Sequence, residues 1–305
     1  MKPSSRHPAP RGLFQPLMLA LFALVAAIPA HADTIDKIRE TRTITIGARE
    51  GAQPFSYTGA NGQPTGYSIE LCQRVAEAVK KELKIPDLKV NYQTVSGAER
   101  IPKLQDGSID LECGTTTNTL ARQEKVDFSY TIFVAGQKIL TTDPALKGPQ
   151  DLAGKKIAIS KGTTSERLFQ QISVTEAGGM QLVTYPNNAE AFKALESGAV
   201  SAFAQDDVLL SGLISGQAGA QQYRLTSNYL SIEPYAIMVR KGDARLLGLV
   251  DRTLQQLFQS GEINQIYARW FDSSTMKVPM SVLLRDTILR PAKEAGFARG
   301  LGYTL

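Results

Sequence analysis

Lys103-Leu-Gln-Asp-Gly-Ser-Ile-Asp-Leu-Glu-Cys-Gly-Thr115 can be laid without a gap on Ala194-Leu-Glu-Ser-Gly-Ala-Val-Ser-Ala-Phe-Ala-Gln-Asp206. Leu104 meets Leu195, Gly107 meets Gly198 and Ile109 meets Val200. Each copy reads as the end of a helix, a glycine stop and a short apolar strand that finishes on a polar residue. Thr115 and Asp206 take the same place in the two copies. Open α/β sheets bind ligands at the carboxyl ends of their strands, so two such units facing each other would line a cleft from both sides. Helix-glycine-strand units are also common in α/β proteins without such a cleft, and the repeat alone does not choose between the two.

Outward from the repeat, short apolar strands alternate with amphipathic helices. Thr43–Ala48, Leu88–Thr94 and Ile109–Cys113 read as strands, and Pro54 to Gly66 as a loop or hairpin. Tyr67–Leu83 carries apolar residues at 71, 72, 75, 76 and 79, a helical spacing, and Glu99–Gln105 continues the pattern. A second series begins after Lys138–Thr142. It continues through Lys156–Ser160, a helix over Ser165–Ile172, Leu182–Tyr185, a helix over Ala189–Ser197 and the strand Val200–Ala204. Tyr235–Arg240 is a further strand, residues 244–270 look helical, and a last helix is expected over Val282–Ala295. The alternation predicts an α/β fold with mainly parallel sheets.

The first 32 residues do not read as part of that fold. Lys2, Arg6 and Arg11 precede an apolar run from Leu13 to Pro29, which ends in Ala30-His31-Ala32, a pattern that signal peptidase accepts. The run is too short to span a bilayer comfortably. Export to the periplasm with cleavage after Ala32 is the expectation. Cleavage lowers the balance from 34 basic against 29 acidic residues by the three basic ones. No basic cluster marks a nucleic-acid partner.

The only two histidines, His7 and His31, fall in the segment to be removed. The remaining chain has no imidazole for general-base or metal work, and Cys72 and Cys113 alone cannot complete a zinc site of usual composition. Neither metal nor cofactor is expected. Cys72 lies on the apolar side of its helix and Cys113 ends a buried strand, so they stand either as a disulfide or as two buried thiols.

Four constellations suit a small charged ligand. Thr115-Thr116-Thr117-Asn118-Thr119 follows a strand and opens a turn in which Arg122 can present a guanidinium fork to a carboxylate. Ser160-Lys-Gly-Thr-Thr-Ser-Glu166 has capping-box spacing from Thr163 to Glu166, which leaves the amides of Thr164 and Ser165 for an anion. Asp206-Asp207 suits an ammonium group, or else caps the helix over 208–214. Arg49 and Arg100 both follow strands. Solvated arginines and ordinary caps are the plain alternatives for each.

Taken together, Gly47-Ala-Arg-Glu50, Pro54-Phe-Ser-Tyr57, Arg100-Ile-Pro102, Asp110-Leu-Glu-Cys-Gly-Thr-Thr-Thr-Asn118, Arg122-Gln123, Gly162-Thr-Thr-Ser-Glu166 and Asp206-Asp207 resemble the solute-binding proteins of polar amino-acid ABC importers. The glutamate/aspartate-binding branch is the nearest. The resemblance covers most of the chain after residue 32. It implies a two-lobed, type II periplasmic-binding-protein-like fold joined by two hinge strands, with lobe 1 over 33–136 and 234–305 and lobe 2 over 137–233.

It also implies roles. Arg122 and Thr117, with the backbone at Thr164, would hold an α-carboxylate. Asp206 and Thr115 would hold an α-ammonium, and Arg49 and Arg100 would face a side-chain carboxylate. Gly97 stands where the branch has serine and Asn188 where it has histidine, and these two positions coincide in the internal repeat. A monomer that captures glutamate or aspartate and delivers it to a membrane permease is the implied function, with glutamine or asparagine as alternative ligands. A periplasmic dehydratase using Glu112 or Asp206 as its acid, and a receptor sensor module, are the rival readings.

Overall fold

The computed structural model describes residues 33–175, 178–274 and 276–293. The export segment expected over residues 1–32 lies outside the described residues, as do residues 294 and 295 of the expected tail helix, which ends at Leu289, before Pro291. Helix α1 (Thr34–Thr41), capped by the Asp33 carboxylate on the Ile35 amide, leads into β1 (Thr43–Ala48). The Gly- and Pro-rich stretch after it forms a small antiparallel sheet, β2 (Gly51–Ala52), β3 (Ser56–Thr58) and β4 (Pro64–Thr65). Then come α2 (Tyr67–Leu83), β5 (Lys89–Thr94), α3 (Arg100–Gln105), β6 (Leu111–Cys113), α4 (Leu120–Gln123) and β7 (Val126–Ala135).

The next stretch holds β8 (Gln137–Thr141), β9 (Lys156–Ser160), α5 (Thr164–Thr175), β10 (Gln181–Tyr185), α6 (Asn188–Glu196), β11 (Ala202–Asp206), α7 (Asp207–Ile214) and β12 (Arg224–Leu225). The chain returns through β13 (Glu233–Arg240) to α8 (Ala244–Ser260), α9 (Glu262–Phe271) and α10 (Val282–Leu289). Residues 244–270 are thus two helices and not one. Gly261 at φ 75° ends α8 and starts α9, a conformation glycine takes without steric cost.

Two five-stranded sheets result, ordered β5-β1-β6-β13-β7 and β10-β9-β11-β8-β12. In each, four strands run in one direction and one, β13 in the first and β8 in the second, runs against them. The antiparallel pairings come from the strands nearest the crossings between sheets. The internal repeat is a true equivalence: Ile46 stands opposite Leu111 and Ile157 opposite Ala202, and Leu111 and Ala202 are the same position in the two copies. β7 becomes β8 across Gly136 alone, and the return at Ser231–Glu233 runs beside it, with the Leu230 amide donating to the Gln137 carbonyl at 2.9 Å.

Each sheet has its own core. Under the first, Phe55, Tyr67, Phe133, Tyr235 and Phe271 pack edge-on or stacked, with Phe55 and Phe133 ring centres 4.7 Å apart. Fully burying such a side chain stabilises by roughly 1.5–3 kcal/mol. Cys72 of α2 and Cys113 of β6 are joined as a disulfide, pinning that helix to the central strand. Val208 and Leu209 of α7 belong to the first core although α7 follows a strand of the second sheet. The two halves are therefore pressed together in a closed arrangement.

Candidate functional site

The parallel strands of both sheets aim their carboxyl ends at one seam. Arg49 follows β1, Gly97 and Arg100 follow β5, and Thr115 and Thr117 follow β6. From the other side Thr164 follows β9, Asn188 follows β10, and Asp206 is the last residue of β11. Parallel strands leave their carboxyl ends free where the chain turns into a helix, which is why residues far apart in sequence meet here.

Arg49, Arg100, Thr115 and Thr117 line one wall of a cavity and Thr164, Asn188 and Asp206 the other. The space left between them is about 10 Å³, room for about one water. Arg122 lies beside it in a neighbouring groove, and Gly97 borders the Arg49 guanidinium.

Three guanidinium groups crowd the seam. Arg100, 2% exposed, donates from Nη1 to the Thr115 carbonyl at 3.3 Å and from Nη2 to the Gly162 carbonyl at 3.2 Å. Arg122 donates to the Thr117 carbonyl at 2.9 Å and to the same Gly162 carbonyl at 3.3 Å. One backbone oxygen of the second half is thus held by two cations of the first. Burial, and then repulsion from Arg100, lowers Arg49 to about 10 and Arg122 to about 9. All remain cations at neutral pH.

Asp206 supplies the opposite sign. Tyr235 reaches out of the aromatic core and donates its hydroxyl to Asp206 Oδ2. Burial first, and Glu233 second, raise the Asp206 carboxyl well above the usual range. Asp206 stands at the start of α7 but makes no side-chain capping bond, so the capping alternative is not realised. Asp206 Oδ1 and Arg100 Nε are both buried and have no hydrogen-bond partner among the described residues.

Some residues behave differently from the sequence expectation. Thr163 does accept the Glu166 amide at 3.2 Å, but the Glu166 carboxylate reaches the Gly162 amide at 2.8 Å. Asn188 lines the cavity, yet its amide is engaged by protein. Its Oδ1 accepts from Ser160 Oγ at 2.6 Å and Gln205 Nε2 at 2.9 Å, while Nδ2 reaches across to the Gly51 carbonyl at 3.4 Å. A Cβ on Gly97 would stand 2.7 Å from the Lys161 carbonyl oxygen. A serine at this position would therefore press on the Lys161 backbone in the closed seam.

The largest omission of the sequence reading is Glu233, 1% exposed at the second crossing. Its Oε1 accepts from Gln137 Nε2 at 2.8 Å and Ser231 Oγ at 2.5 Å. Its Oε2 accepts from Thr117 Oγ1 at 2.6 Å and Thr164 Oγ1 at 2.8 Å. The Thr117 side chain, expected to meet a ligand's carboxylate, thus meets an internal one, and the Thr164 hydroxyl joins it. A charged residue opening an otherwise apolar strand, Glu233-Pro234-Tyr235, was the available signal. With Glu112 also buried, three arginines face three carboxylates and not Asp206 alone.

A roomier groove of about 460 Å³ lies at Glu70, Arg74 and Trp270. Its charges satisfy one another: Glu70 pairs with Arg269 and accepts from Trp270 Nε1 at 2.7 Å, and Arg74 pairs with Glu262 at 2.8 Å. The smaller seam has the unmet chemistry.

Comparison with known proteins agrees with this geometry. An L-glutamate/L-aspartate-binding protein of Pseudomonas aeruginosa is 40% identical over 291 residues, covering 92% of this chain and 96% of that protein. A glutamate/aspartate import solute-binding protein of Escherichia coli is 37% identical over 260 residues, covering 84% and 86%. Among solved structures, an ancestral arginine-binding protein bound to glutamine superposes with a TM-score of 0.69 at 30% identity, covering 76% of this chain and 98% of its own. These relatives are binding proteins by name and not enzymes. The pattern of the bacterial extracellular solute-binding proteins, family 3, matches residues 44–273, and the chain belongs to that family.

Proposed function

We propose that this protein captures an acidic L-amino acid, glutamate or aspartate, in the periplasm and delivers it to the permease of an ABC importer. The observation that carries the reading is the pair of unsatisfied groups in one cavity, a guanidinium N–H on Arg100 and a carboxylate oxygen on Asp206. A donor and an acceptor left bare across a narrow gap fit a zwitterion, because burying either unpaired is costly. The names of the relatives point to the acidic class.

In this reading Arg122 and the backbone near Thr117 and Thr164 hold the α-carboxylate, Asp206 and Thr115 the α-ammonium, and Arg49 and Arg100 the side-chain carboxylate. The lobes, 33–136 with 234–305 and 137–233, hinge about 134–138 and 231–235. A cavity of about 10 Å³ cannot admit an amino acid, so entry requires the lobes to part. Contacts made by both lobes then shift the population back toward closure. Residues 1–32 direct export and are removed, and the mature chain acts as a monomer.

The test is calorimetric titration of unfolded and refolded protein, freed of carried-over ligand, with L-glutamate, L-aspartate, L-glutamine and L-asparagine. Micromolar or tighter binding of the two acids alone is expected. Binding of the amides alone would overturn the acidic assignment while leaving the family role intact.

A further inference from the structure

Glu112 sits in the centre of the first sheet, between Gly47 of β1 and Met238 of β13, and is 0% exposed. A carboxylate in the middle strand of a sheet has to be held by something. Thr116 Oγ1 donates to its Oε2 at 2.8 Å, but Oε1 has no hydrogen-bond partner among the described residues. No ion pair within 4 Å involves it among those residues either. What it does have is closeness to the arginine end of the cavity. The point where a Cβ on Gly114 would stand is 2.4 Å from Glu112 Oε1 and 2.7 Å from Arg49 Cγ. Only a glycine lets the two side chains share that space.

We propose that Glu112 is a specificity-determining residue that acts through Arg49 and Arg100, as a fixed internal counter-ion behind the ligand's side chain. This rests on the acidic-ligand reading given above. Two guanidiniums with Glu112 carry one net positive charge, which a single side-chain carboxylate neutralises. Without Glu112 the same two arginines would be left one charge in excess after an acidic ligand binds, and two after an amide ligand binds. Glu112 is also the charge that most opposes the effect of burial on Arg100, and it acts in the same sense on Arg49. It therefore sets how strongly the pocket prefers a carboxylate to an amide, without touching either.

Glu112→Gln keeps the shape and the Thr116 hydrogen bond while removing the charge. The ratio of L-glutamate to L-glutamine affinity, read by calorimetry on the full-length exported protein, should rise about tenfold. Glu112→Asp, which keeps the charge, should leave the ratio within about threefold of the parent. A residue with a purely structural role would weaken both ligands equally in both variants, and an unchanged ratio in Glu112→Gln overturns the proposal.

If Glu112→Gln does not fold, Glu112→Met with Thr116→Val removes acceptor and donor together and leaves no orphaned group. The ratio must rise in that pair as well, or the proposal is wrong. A parent protein that binds neither acid sinks the acidic-ligand reading, and this proposal with it. A parent that binds them, with an unchanged ratio in the variants, sinks only the role of Glu112.

Discussion

The two sheets share strand order, register and an internal repeat, yet they divide the charges of the site between them. Arg49, Arg100 and Arg122 all come from segments around the first sheet, whereas Asp206 ends the central strand of the second. The equivalent strands differ to match. β6 carries Leu111-Glu112-Cys113, with a buried acid and a disulfide sulfur, and β11 carries Ala202-Phe203-Ala204, which only packs. One scaffold used twice thus makes a cationic wall and an anionic wall. In the function proposed above, a zwitterion would satisfy both only when the halves meet, and closure would then depend on the ligand.

The division of charge can be broken from either side. Arg122→Ala removes the cation assigned to the α-carboxylate that every amino acid has. It should weaken all ligands alike by about 4 kcal/mol, on the order of a thousandfold, measured by calorimetry. Arg100→Ala should be selective, costing acidic ligands about 3 kcal/mol and glutamine under 1. Equal losses for both would refute its assignment to the side chain.

From the other wall, Asp206→Asn should cost about 2 kcal/mol in affinity for every ligand while stabilising the ligand-free closed form. The sign follows from the raised carboxyl: its cost to the folded state grows as pH rises from the ordinary carboxylate range toward the raised value, and asparagine, which does not ionise, removes that cost. The ligand-free melting temperature at pH 7 should rise by about 2–4 °C and the gain should vanish in acid. Gly97→Ser should have the smallest effect, about 1 kcal/mol on all ligands. Its Cβ meets the Lys161 backbone only when the walls come together, so scattering should show a larger open fraction at subsaturating ligand.

Glu233 shows why the site was only partly legible. The groups assigned from pattern lie at the carboxyl end of a strand or in the segment that follows it, the one place where a sequence marks a cleft in an α/β fold. Glu233 lies at the start of a strand, and its four donors come from residues 117, 137, 164 and 231. No spacing encodes such a meeting. Helix α2 was legible in full because burial of one face imposes a period of 3.6 residues. β7 was not singled out, since buried Ser129 and Thr131 interrupt its apolar character. Ser129 Oγ accepts the Ile237 amide at 3.0 Å, a partner only the neighbouring strand can provide.

Local sequence by itself determined the α/β alternation, the duplicated helix-glycine-strand unit, the strand ends that carry Arg49, Arg100, Thr115 and Asp206, and the resemblance that named the ligand class. These follow from periodicity, turn chemistry and motif order, which short stretches carry whole. Tertiary structure alone decided that Cys72 and Cys113 are bridged, that Asp206 faces a cavity and does not cap a helix, and that Glu112 and Glu233 add two buried charges. Each is a matter of distance between remote residues. The energy of a charge depends on what surrounds it in space, and only the folded chain fixes those surroundings.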